Sequence, residues 1–110
     1  MDVVTTSRAT HHLTVPDLGR FYEQAAAVLR PGGWVANWDN VTVGGEWDGR
    51  LRAARTKLRG TPRDIAPSHP HVHRSPTVDE HLSAMRAAGF TDPRLVWQEF
   101  VTVLMIARKP

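Results

Sequence analysis

The sequence predicts an α/β fold of alternating strands and helices, and three stretches carry that prediction. A β-branched run, Val3-Val4-Thr5-Thr6, opens the chain. Residues 25–39, AAAVLRPGGWVANWD, take a helix into Arg30-Pro31-Gly32-Gly33 and straight out into an aromatic strand. After Thr77-Val78-Asp79-Glu80, with the Thr-x-x-Glu spacing of a capped helix start, a dense apolar run over 94–108 closes the chain.

The first element is a strand over residues 2–8, because β-branched side chains pack well on a pleated surface. It turns small and polar at Ser7-Arg8-Ala9, as a strand end opening onto a site does. A helix follows from Thr14 to Asp17 onward. Thr14 caps it, Pro16 fits a first turn, and Asp17 complements the positive end of the helix dipole. Leu18, Phe21, Tyr22, Ala25, Val28 and Leu29 recur at three- and four-residue intervals on one face. Arg30 sits in the last turn; Pro31 cannot continue the ladder, and Gly32 or Gly33 closes the helix.

Trp34 to Asp39 is then a second strand. Strand, helix and strand with short links make a βαβ unit, with parallel strands and a right-handed crossover. A further helix spans Glu46 to Arg59, with Trp47, Leu51, Ala54 and Leu58 on one face and five basic residues largely elsewhere. Gly60 to Pro76 is rich in Pro and His and reads as a long surface loop. The helix opened by Thr77 has the stripe Val78, Leu82 and Met85 and ends at Gly89. Asp92-Pro93 supplies a turn, and residues 94–108 form a hairpin that turns near Gln98 to Phe100.

A chain of 110 residues holds one small domain. Hydrophobic residues at 41% and charged residues at 23% suit a globular protein. No apolar run is long enough to span a bilayer, and no secretory pattern opens the chain. The lack of cysteine rules out disulfides and thiol chemistry and fits a cytoplasmic protein. A net charge of +3 is too small to argue for nucleic acid by itself.

The order of these pieces resembles the class I S-adenosylmethionine-dependent methyltransferases. Asp2 to Ser7 with His11-His12-Leu13 is similar to that family's fourth strand and following loop. Ala27-Val28-Leu29-Arg30-Pro31-Gly32-Gly33 looks like the segment leading into its fifth strand. His81-Leu82 through Ala88-Gly89-Phe90 resembles its last helix, and Arg108-Lys109-Pro110 its tail. The resemblance covers nearly all of the chain except 44–76. It implies a partial Rossmann-like sheet in the family order 4-5-7-6, the last strand antiparallel. Residues 1–110 would be one partial domain, a carboxyl-terminal half, with 44–76 inserted on the substrate side.

The implied activity is methyl transfer from S-adenosylmethionine to a small-molecule acceptor. The family grips its cofactor mainly with a glycine-rich loop after strand one and an acidic residue ending strand two. Neither is in this sequence, and neither Gly32-Gly33 nor Gly44-Gly45 sits between a strand and a helix as a cradle must. The isolated chain is therefore expected to lack competence. The rival reading is a non-catalytic half that completes its sheet with a partner. With strand one of the family missing, residues 2–8 leave one apolar edge open to a partner fragment or to a second copy in a homodimer.

By resemblance, Ser7, Arg8, Ala9, Thr10 and His11 are the cofactor-side candidates; a plain strand-to-helix turn is the competing reading. His12, Trp38, Asp39 and His69 are the substrate-side candidates, with Trp38 as pocket wall. His11 or His12 could also serve as a base, since histidine titrates near neutrality, and Asp39 could orient substrate or remain a solvated strand end. No residue is assigned as catalytic. His69, His71 and His73 alternate along the loop, but structural zinc wants four rigid ligands, and neither cysteine nor a carboxylate cluster accompanies them. A lid contacting substrate suits them better than a metal. The basic run 50–63 lacks interleaved aromatics, which favours a solvated helix face over nucleic acid.

Overall fold

A computed structural model describes residues 1–60 and 74–110. The elements are β1 (Val3–Ser7), a 3-10 turn (Thr10–His12), α1 (Val15–Val28), β2 (Trp34–Asn40), α2 (Gly45–Arg59), α3 (Val78–Ala87), β3 (Thr91–Glu99) and β4 (Thr102–Arg108). The strands form one sheet in the order β1-β2-β4-β3. β1 and β2 are parallel, while β4 runs antiparallel to both β2 and β3. This is the order and polarity expected.

Capping chemistry sets the helix starts. The Thr14 hydroxyl accepts from the Asp17 N–H at 3.3 Å, and Thr77 and Glu80 form a complete capping box. At the far end of α1 the chain turns on Gly32, at φ +85°. A Cβ on Gly33 would lie 2.8 Å from the Asp2 carbonyl and 3.0 Å from that of Arg30, so only glycine fits without moving backbone. Lys109 Nζ donates to the Ala26 and Leu29 carbonyls at 2.6 Å, satisfying acceptors that the helix end leaves open.

One sheet face is packed. Strand alternation turns Val35, Asn37 and Asp39 of β2 and Val103, Met105 and Ala107 of β4 inward. They meet Leu18, Tyr22, Ala25 and Leu29 from the α1 segment and Met85 from α3. Val28, expected on that face, is half exposed. Leu29 leaves the helix in extended conformation and takes the core position instead. On α3 the fully buried residues are His81 and Met85, with Leu82 only partly buried.

Two turn expectations change. Asp92-Pro93 makes an irregularity inside β3, with Asp92 at φ +52° and a register shift between Thr91 and Arg94. β3 is an edge strand, where a residue without an N–H is tolerated. The hairpin turns at Phe100-Val101, and Phe100 takes the left-handed conformation, φ +54°, in a position where glycine is usual.

The opposite sheet face carries Trp34, Trp38 and Trp97, each two-fifths to one-half exposed. β1 pairs with β2 on one side and with no other strand among the described residues. α2 buries none of its residues: its expected apolar face is present, but Trp47 and Leu58 lie on the surface. No helix among the described residues is long and apolar enough to cross a membrane.

Candidate functional site

Two arrangements meet at the carboxyl ends of β1 and β2, one on each face of the sheet. The first is a buried polar chain. Asp39, fully buried, accepts from the Thr10 hydroxyl at 2.7 Å, from the backbone N–H of His11 at 2.8 Å and of Asn40 at 2.7 Å, and faces His11 Nδ1 at 2.7 Å. The 3-10 turn after β1 brings Thr10 and His11 over the end of β2, so Asp39 ties the two strand ends together. Asn37, two residues earlier on the same face, donates from Nδ2 to Thr10 Oγ1 and to the Tyr22 hydroxyl, both at 2.9 Å. The Tyr22 hydroxyl stands 2.7 Å from His81 Nδ1.

The directions of these bonds follow from donor and acceptor inventory. Tyr22 accepts from Asn37, so its own proton goes to His81 Nδ1. Burial pulls the His81 pKa from 6.5 down to about 4, against the pull of the Asp39 and Glu80 charges, so the ring is neutral. Burial likewise pushes the Tyr22 hydroxyl above its ordinary range. His81 Nε2 and Asn37 Oδ1 have no hydrogen-bond partner among the described residues. At the other end, His11 Nδ1 stands 2.7 Å from the Asp39 carboxylate, which fixes the orientation of the ring. The cluster can hold an imidazole in a defined orientation.

The second arrangement is a cavity of about 420 Å³ on the exposed face, lined among others by Ser7, Arg8, Trp38, Arg55, Arg59 and Trp97. Its floor is a row in register across the sheet: Ser7 beside Trp38, Trp38 beside Leu104, and Leu104 beside Trp97. Trp38 and Trp97 meet edge to face, ring centroids 6.1 Å apart. Arg8 stands just past β1 at φ +56°, and its N–H donates to the Trp38 carbonyl at 2.8 Å. Arg59 reaches from α2 to an ion pair with Glu99 and lies over the Phe100 ring at 5.9 Å.

The sequence candidates thus separate. Ser7, Arg8 and Trp38 line the cavity. Thr10, His11 and Asp39 belong to the buried chain, and Thr10 and Asp39 are closed to solvent. Ala9 precedes the 3-10 turn, and the His12 ring lies tilted against that of His11 with centroids 3.9 Å apart. His69, with His71 and His73, lies outside the described residues. No cluster able to hold a metal ion occurs among the described residues. Sequence reasoning missed Arg55, Arg59 and Trp97 as cavity lining; the available signal was the tryptophan on each of two strands that pair with a common neighbour.

Solved structures share this fold. The human N-acetylserotonin methyltransferase in complex with S-adenosylmethionine superposes with a TM-score of 0.66 at 15% identity over 98% of this chain and 29% of its own. CalO1, a methyltransferase of calicheamicin biosynthesis in its S-adenosylhomocysteine-bound form, gives 0.68 at 18% over 99% and 30%. The fold is that of class I methyltransferases. An O-methyltransferase family protein from Burkholderia thailandensis gives 0.66 at 16% over 98% and 30%. The chain spans about three-tenths of the length of each. No family model and no curated protein sequence matches it.

The described residues fit S-adenosylmethionine only in part. The strand-end acid, Asp39, already accepts from Thr10, His11 and Asn40 and has no capacity left for ribose hydroxyls. Gly32 and Gly33 lie at the amino end of β2, away from the site, and a Cβ at Gly44 or Gly45 would meet nothing within 4 Å. No glycine cradle is present among these residues.

Proposed function

We propose that this chain serves S-adenosylmethionine-dependent methyl transfer to a small-molecule acceptor, and that it supplies the acceptor side of the site while the cofactor grip comes from residues outside it. The observation that carries this reading is the cavity at the carboxyl ends of β1 and β2, where ligands of open α/β sheets bind. In such a transfer the protein chiefly aligns nucleophile, methyl and sulfur, so positioning by the cavity walls is the main contribution asked of these residues. Ser7 and Arg8, which line the cavity beside Trp38, are assigned by resemblance to its cofactor side. Trp38 and α2 shape the acceptor side. His11 is held by Asp39 at the same strand ends but on the other face of the sheet, outside the cavity lining.

Because the cofactor fit is partial, calorimetric titration of the chain with S-adenosylmethionine is expected to show no binding tighter than about millimolar, some 4 kcal/mol. Saturable micromolar binding would overturn the claim that the grip lies elsewhere. The reading frame ahead of residue 1 bears on methyl transfer itself: a strand followed by a glycine-rich loop supports it, and an unrelated sequence there sinks it.

The open side of β1 and the exposed tryptophan face favour a second reading, in which the chain completes its sheet with a partner fragment or a second copy. Sedimentation equilibrium is expected to give a mass above 12.3 kDa that rises with concentration. A monomer across the whole range would remove the homodimer.

A further inference from the structure

The cavity on the exposed sheet face is built for more than an unspecified small molecule. The geometry points to an aromatic oxyanion, a planar ring system bearing a carboxylate or phosphate, as its ligand; this rests on reading the cavity as the acceptor site. The volume of about 420 Å³ lies within the roughly 300–1,000 Å³ of small-molecule sites and suits a fused-ring compound. Trp38 and Trp97, edge to face on one row of the sheet, give the cavity an aromatic surface.

The charge at the mouth does not cancel. Arg59 is paired with Glu99, whereas Arg8 and Arg55 have no carboxylate partner among the described residues. Arg50 and Arg52, by contrast, are each bonded to an acid four residues earlier on the same helix. Arg55 is also partly buried, although it sits on a helix with no fully buried residue. Two guanidinium groups from separate elements, β1's end and α2, therefore face one cavity with a surplus of two positive charges. A guanidinium fork recognises carboxylate or phosphate oxygens with paired N–H bonds, and the indoles take the ring.

The test uses the chain alone with 2-naphthoate, 2-naphthyl phosphate and the neutral 2-naphthamide, followed by the indole N–H signals of the four tryptophans in 1H–15N spectra. Both anions are expected to shift Trp38 and Trp97 saturably while leaving Trp34 and Trp47 in place, and the amide to bind at least about ten-fold more weakly. Arg55→Met should weaken naphthoate by about ten-fold, the loss of one charge-assisted pair; Arg50→Met, outside the cavity, should not. Equal binding of amide and anions, an unchanged affinity in a folded Arg55→Met, or shifts confined to Trp34 and Trp47 would each overturn the proposal. So would a single-stranded oligonucleotide that displaces naphthoate and binds more tightly. The readout needs no cofactor: naphthoate binding in a chain whose methyl-transfer role has failed would leave the ligand class standing.

Discussion

Asp39→Ala is expected to cost the folded chain about 4 kcal/mol, lowering Tm by at least about 15 °C. The carboxylate accepts from three backbone or hydroxyl donors and faces an imidazole, all within 2.8 Å, at the junction of β1, the 3-10 turn and β2. Removing it strands the Thr10 hydroxyl and two backbone N–H groups, and a buried donor without a partner costs roughly 1–3 kcal/mol. Thr10 is itself the acceptor for Asn37, so the fault runs on toward Tyr22 and His81. Asp39→Asn keeps one acceptor oxygen and should recover part of the loss. Urea unfolding followed by tryptophan fluorescence measures both variants. A change under 1 kcal/mol for Asp39→Ala would mean that this cluster does not hold the strand ends together.

Acid should weaken the fold before most carboxylates titrate. His81 has a folded pKa of about 4 against an ordinary 6.5 because it is buried. Between those values the unfolded chain takes up a proton that the folded chain refuses, so stability is complete above pH 6.5 and falls as pH drops toward 4. The shift amounts to about 3 kcal/mol across that window. Glu80 adds a second loss lower down: its hydrogen bonds from Arg74, then from the Thr77 N–H, hold its pKa near 2 instead of 4.5. That contribution is present above pH 4.5 and disappears as pH falls through 2. In urea titrations from pH 7.5 to 4, His81→Gln should flatten the dependence, since a glutamine carbonyl can still accept from Tyr22 without ever gaining charge. Parallel slopes for wild type and variant would show that His81 is not the group responsible.

The local chemistry of the fold was legible in the sequence. Thr14 and the Thr77–Glu80 box act within a few residues of themselves, so their meaning does not depend on what packs nearby. The sheet order was legible for another reason: a βαβ unit followed by a hairpin leaves few ways to arrange four strands, and the family resemblance chose among them. Elements that depend on distant neighbours read less well. Asp92-Pro93 looks like a turn until β4 is beside it, and Val28 looks buried until Leu29 unwinds into its place.

The same division holds for the site. Ser7, Arg8 and Asp39 stood out because strand ends in α/β sheets face ligands. What only the tertiary structure decided is which face each one serves. Asp39 points under the sheet to Thr10 and His11, and Trp38, one residue away, points over it to Trp97, because consecutive strand residues alternate. Tyr22 meets His81 across 59 positions of sequence, and Arg55 comes to line the same cavity as Trp38 and Trp97 through the placement of a whole helix. No spacing in the chain encodes either meeting, since each is fixed by the packing of separate elements against one sheet.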